Sequence, residues 1–370
     1  MKKIGLLFVL PLLLLLFALP VFAASDALQD AAAQTGESLF SLVDDETKQT
    51  LEDFGLTDFS AIRVFDVSWN SIRAFFADTL RQSLQKQSRG FSLSLAVLLV
   101  LVCLKTLIPK PGGAGAFDLL SLCAVTALTA SSLHTFVSAA AAVLKTAAVF
   151  MQGFIPVYAA LLAFSGRPGA ALSYQTLCFA LAQGISLFAS GWCVPLLGLF
   201  FGLGISFSLN ETVNTPAFLA GVNKLSGVVL GLVSGGFSGV LSFRQVLAGA
   251  ADSAAGKSVR FLLGSLVPVV GSAVGDAYSA VLGSIDLIRG SAIVFAFLVL
   301  LVLHLPVLLQ LLLGRIGCGV LSSLSSMLGE NRLSVLYSVF ACGVRLLLLL
   351  VFFECFLLLI TTGLTLRLQR

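Results

Sequence analysis

The sequence predicts an all-α fold: a polytopic helical membrane protein with a cleavable signal peptide and a short helical extracytoplasmic N-terminal segment. Two observations carry this reading. Long apolar stretches recur from Phe91 almost to the C-terminus, at 91–104, 119–133, 147–164, 190–209, 291–313 and 346–360. The chain is also 58% hydrophobic and only 11% charged, with a mean hydropathy of +1.03, more apolar side chain than a soluble domain of this length can hide. A bilayer core about 30 Å thick is crossed by about 20 apolar helical residues. Backbone amides cannot go unpaired in lipid, so such stretches must be helices packed as a bundle.

Residues 1–23 read as a signal peptide. Lys2 and Lys3 give a positive start, 4–18 an apolar core, and Val21-Phe22-Ala23 a small-residue cleavage pattern before Ala24. An uncleaved first transmembrane helix is the alternative, because 4–22 nearly spans. Residues 24–89 then carry 11 of the 18 acidic residues but only 6 of the 22 Lys and Arg. Ile62, Phe65, Trp69, Ile72, Phe76 and Leu80 recur there at helical spacing. This predicts an acidic, amphipathic extracytoplasmic segment, too short for a large core. Its apolar face has three candidate partners: the membrane surface, the bundle or another protein.

Residues 90–370 form the multi-pass domain. About six to nine spans are expected in all, with the clearest at about 91–109, 117–141, 146–164, one or two within 172–209, 291–314 and 335–364. Gly191 and Pro195 suggest two helices with a tight turn in 172–209, or one broken helix. Positive-inside bias does not settle orientation, because Arg81, Lys86 and Arg89 stand before the first span. The basic tail, Arg367 and Arg370, favours a cytoplasmic C-terminus.

Residues 200–290 hold 15 of the 34 glycines, with Gly227, Gly231, Gly235 and Gly239 at four-residue spacing. On a helix this makes one smooth face, expected to be a helix-packing seam; a broken helix lining a polar path needs the same residues. A polar series follows: Asp252, Lys257, Arg260, Pro268, Gly271, Asp276, Asp286 and Arg289. Acids in lipid are costly, so Asp276 and Asp286 are expected in the bundle interior, an aqueous cavity or the headgroup zone. The competing reading makes 257–331 a partly interfacial segment with solvated charges. Phe154-Ile155-Pro156-Val157 and Leu266-Val267-Pro268-Val269 resemble each other, as broken helices do in internally repeated transporters, although Pro and Gly are common in membrane helices generally.

Other motifs carry little chemistry. Ala-Asp-Ser-Ala-Ala-Gly-Lys-Ser at 251–258 loosely fits a phosphate loop, but no buried strand precedes it. No nucleotide is expected there. The seven cysteines lie in apolar segments without a CxxC pair and read as small hydrophobes. His134 and His304 read as solitary, with no ligand at metal spacing. No GxSxG elbow marks a nucleophile, and no basic aromatic platform for nucleic acid is visible. Glu354 and Arg345 lie within the last apolar helix, nine residues apart and unable to pair, so each is expected to contact another helix or a headgroup.

Taken with the signal peptide, acidic segment and multi-pass remainder, two stretches carry a resemblance. They are 154–166, Phe-Ile-Pro-Val-Tyr-Ala-Ala-Leu-Leu-Ala-Phe-Ser-Gly, and Val259-Arg260-Phe261 leading into Leu266-Val267-Pro268-Val269-Val270-Gly271 with Asp276 beyond. The chain resembles the stage III sporulation protein AE family of endospore-forming Firmicutes; its Phe- and Leu-rich C-terminal third departs most from that pattern. The resemblance implies a permease-like subunit of a sporulation-specific complex in the mother-cell membrane around the forespore. That complex joins a forespore membrane protein in a secretion-like channel needed for forespore development after engulfment. Its partners would be the other membrane proteins of the stage III complex and the lipid bilayer. The family offers no catalytic residues, so the expectation is a protein that is not an enzyme and uses no cofactor, metal, nucleotide or nucleic acid. Asp276, Asp286, Lys257, Arg260, Pro268, Gly271 and Glu354 are the candidate pore or packing residues. The alternative is a stand-alone secondary transporter in which Asp276, Asp286 or Glu354 binds a proton or cation; an intramembrane enzyme is the third reading.

Overall fold

The computed structural model describes residues 37, 39–43, 45–54, 69–107, 114–191, 193–209, 213–229, 231–232, 235–236, 239–240, 242–243 and 271–367. The expected signal peptide (1–23), the phosphate-loop-like stretch, and the candidates Lys257, Arg260 and Pro268 lie outside them. Among the described residues there is no strand. The main helices are α1 (Asp45–Asp53), α2 (Trp69–Leu107), α3 (Ala114–Phe164), α4 (Pro168–Gly191), α5 (Cys193–Leu209), α6 (Gly271–Met327) and α7 (Asn331–Arg367). Residues 215–229 are also helical. Among the described residues, four helical stretches are long and apolar enough to cross a membrane: Trp69–Leu107, Gly115–Phe164, Ile288–Met327 and Asn331–Gly363.

The helices are longer than the apolar runs within them. The expected spans 117–141 and 146–164 are one helix, α3, of 51 residues. The reason is local: 139–148 reads Ala-Ala-Ala-Ala-Val-Leu-Lys-Thr-Ala-Ala, dominated by the strongest helix former and without Gly or Pro. Pro156 lies inside α3 and Pro306 inside α6 without ending either helix. Helix α2 begins well before the expected span at 91 and runs unbroken through 89–90. The region 172–209 resolves into two helices, α4 and α5, meeting between Gly191 and Cys193.

Two turns show why the chain reverses where it does. After α3, Gly166 adopts φ 77°; its N–H bonds the Ala163 carbonyl at 3.0 Å and Arg167 N–H the Leu162 carbonyl at 3.1 Å. After α6, Gly329 adopts φ 82°, with Gly329 N–H to Ser326 O at 3.1 Å and Glu330 N–H to Ser325 O at 2.9 Å. Both are Schellman caps, which need the left-handed conformation that glycine tolerates. The second folds α6 and α7 into a long antiparallel hairpin, fastened near its tip by the Ser322 hydroxyl donating to Ser334 O at 2.9 Å.

The hairpin, α3 and their neighbours enclose two apolar clusters. One joins Leu39, Val43, Leu51 and Phe54 to Ala147–Leu162 of α3, Ala292–Val302 of α6 and Leu357–Leu358 of α7. The other joins Leu98 of α2 to Leu122–Leu144 of α3, Leu308–Leu321 of α6 and Leu333–Val351 of α7. An aromatic series crosses the first, Phe150–Phe154–Tyr158–Tyr174, with centroids 5.7, 5.6 and 4.9 Å apart. The border between the clusters runs at 145–146 on α3, at 303–307 on α6 and at 352–356 on α7.

Candidate functional site

That border is where the bundle places its most buried ionisable pair. His304 of α6 and Glu354 of α7 are each 1% exposed, and His304 Nε2 lies 2.5 Å from Glu354 Oε2. The imidazole is also held from its own helix, where Nδ1 lies 2.8 Å from the Leu300 carbonyl. A carbonyl only accepts, so Nδ1 carries a hydrogen and donates it. Glu354 Oε1 is buried without a hydrogen-bond partner among the described residues.

The solitary reading of His304 is therefore corrected. Its partner stands fifty residues away in sequence, on the other arm of the hairpin. The expectation that Glu354 contacts another helix is met, and the contact is this one. A usable signal was present in the sequence. Each residue is the lone ionisable group in a long apolar run, and each lies 25 residues from Gly329, so an antiparallel hairpin turning there brings them level.

A second buried charge lies toward the start of α6. Arg289 is fully buried, its Nη2 3.0 Å from Asp286 Oδ1 one turn earlier. Its Nη1 donates to Ser165 Oγ at 3.1 Å, at the end of α3. The reading of this stretch as an interfacial segment with solvated charges fails at Arg289, which is wholly enclosed, while Asp286 is half-buried. Gly271 and Asp276 lie on the first turns of α6.

The opposite end of the bundle is tied by Lys105. Its Nζ lies 2.9 Å from Asp118 Oδ1 of α3 and 2.8 Å from Glu330 Oε1 at the hairpin turn. Between this end and the His–Glu pair, a cleft of about 190 Å³ opens where α2, α3 and α6 meet, lined by Lys86, Ser132, Thr135, Gln310, Gly314 and Tyr337 among others. Cys178 is buried among apolar side chains, Cys342 is buried with its thiol donating to Asn223 Oδ1 at 3.7 Å, and Cys103 and Cys123 are exposed. His134 is exposed on α3.

Among the described residues, none packs against the glycine row. Gly227, Gly231, Gly235 and Gly239 are exposed, and a Cβ built at any of them meets nothing within 4 Å among the described residues. Close packing by glycine occurs elsewhere, at Gly314, where a Cβ would collide with the Phe136 ring of α3 and approach Gln87 of α2.

Compared with known proteins, residues 115–367 match the family model of stage III sporulation protein AE. No curated protein matches, and no solved structure does.

Proposed function

This chain belongs to the stage III sporulation protein AE family, a sporulation-related family of membrane proteins, and on that premise we propose that it is a non-enzymatic, permease-like subunit of a multi-protein membrane complex. In this reading the complex sits in the mother-cell membrane around the forespore and joins a forespore membrane protein in a secretion-like channel. It supports forespore development after engulfment.

One observation supports the reading beyond family membership. The face bearing Gly227, Gly231, Gly235 and Gly239 is open among the described residues, and rows of small residues are what close approach of a second membrane helix requires. The partner helices would belong to other subunits. The test is co-purification of the tagged full-length protein from sporulating cells, with and without crosslinking. Gly231→Leu and Gly235→Leu add side chains into open space, so each variant should accumulate normally yet lose most of its co-purifying partners and its sporulation efficiency. Retention of both by both variants would remove the glycine face from the assembly. The stand-alone transporter reading makes the opposite demand: the purified protein alone in liposomes should move substrate.

A further inference from the structure

We propose that His304 and Glu354 form a proton-binding site, and that the proton they share clasps α6 to α7. The site goes beyond the complex-subunit reading and does not depend on it.

The argument counts hydrogens. Nδ1 of His304 faces the Leu300 carbonyl, so its hydrogen is fixed there. The contact between Nε2 and Oε2 then needs one hydrogen, since both atoms otherwise present lone pairs. Two placements are available: a carboxylic acid donating to neutral imidazole, or imidazolium donating to carboxylate. The surroundings favour the first. Glu354 Oε1 has no donor among the described residues, both side chains are enclosed, and an ionised carboxylate half satisfied in an apolar interior is costly.

Among the described residues, no fixed charge nearby offsets that cost. On α6 the nearest charged residues are Arg289 and Arg315, fifteen and eleven residues from His304; on α7 the nearest is Arg345, nine residues from Glu354. Helices α4 and α5 carry no Asp, Glu, Lys, Arg or His, and offer Tyr174 and Cys178 as neutral groups within the first cluster. On α3, Lys145 is exposed and Tyr158 is neutral; on α7, Cys355 adjoins Glu354 as a thiol. On α1, Asp45, Glu52 and Asp53 are exposed, and the half-buried Lys48 pairs with Asp45. Lys86 of α2 borders the cleft at Gly314, ten residues along α6 from His304.

Loss of the proton has a defined consequence. The Oε2–H bond breaks, its electron pair stays on oxygen, and the proton passes to water. Nε2 and Oε2 then face each other with lone pairs, and the new carboxylate has no donor. The hairpin separates locally until water reaches it. Protonation closes the clasp and deprotonation releases it, at the seam between the two apolar clusters.

The chain has two histidines, which makes the site observable. Full-length protein carrying H134Q, labelled with 15N-histidine and reconstituted in phosphatidylethanolamine–phosphatidylglycerol bilayers, gives an imidazole signal from His304 alone in solid-state NMR. The expected result is Nδ1 protonated throughout, with the hydrogen bond at Nε2 lost in a single step from acidic to alkaline pH; E354Q removes the step. A His304 signal that never changes with pH overturns the proposal, as does E354Q titrating like its parent. A second measurement guards against misfolded single variants. H304Q/E354Q keeps a hydrogen-bonding pair without a titratable proton. Amide exchange around His304 should rise several-fold at alkaline pH in the parent, beyond the intrinsic increase, and not in the double variant. Equal responses in the two proteins would also overturn the proposal.

Discussion

Arg289 heads the largest side chains that this fold hides completely, and it can be hidden only because Asp286 and Ser165 meet its guanidinium. Removing one partner of a buried charge leaves the other uncompensated, at a cost of about 3 kcal/mol. Asp286→Asn is therefore expected to lower the unfolding temperature of the detergent-solubilised protein. Arg289→Met removes the charge and keeps the bulk, and in the Asp286→Asn background it should recover much of the loss. Wild-type unfolding of Asp286→Asn would show that another group neutralises the guanidinium. Of the residues singled out from the sequence, Asp286 and Glu354 do have charged or polar partners, Arg289 one turn along the same helix and His304 on the other arm of the hairpin. From sequence, Arg289 fits both an interior and a solvated reading, because the hydropathy of a run cannot show which face of it is enclosed.

At the scale of the element, the turn between α6 and α7 depends on Gly329 at φ 82°. A side chain in the left-handed region costs about 1–2 kcal/mol, so Gly329→Ala should destabilise the hairpin by that order, measured by thermal unfolding. Gly314→Ala tests a different constraint, because its Cβ would strike Phe136. That variant should also lose stability, and Phe136→Leu alongside it should restore part of it. The sequence located the apolar runs well, since hydropathy is set by composition alone. It did not locate helix ends. Apolar runs report where lipid or core is contacted, whereas ends are decided by turn residues such as Gly166 and Gly329 and by Ala-rich joins such as 139–148. Pairing across helices was legible only through the equal distances of His304 and Glu354 from the turn. The glycine periodicity was legible too, but whether its partner is within the chain or outside it is a tertiary property.

For the whole molecule, length is the governing quantity. Helix α3, with 51 residues, is about 75 Å long and α6, with 57, about 85 Å, against a hydrocarbon core of about 30 Å. These helices must stand out of the lipid for part of their course unless strongly tilted. Lys105 binds α2, α3 and the hairpin turn together at one end of this long body. Its ion pairs are partly exposed, so Lys105→Met should cost about 1 kcal/mol or less. The loss should shrink as salt is raised, which unfolding at two ionic strengths would read out. The hairpin also has an alignment problem that leucine cannot solve, since one leucine packs much like the next. Sliding one arm by a single turn would set His304 against Leu350 or Leu358, and Glu354 against Leu300 or Leu308. Both polar groups would then be stranded in hydrocarbon. The pair thus works as an index pin, admitting one alignment of two otherwise interchangeable leucine surfaces.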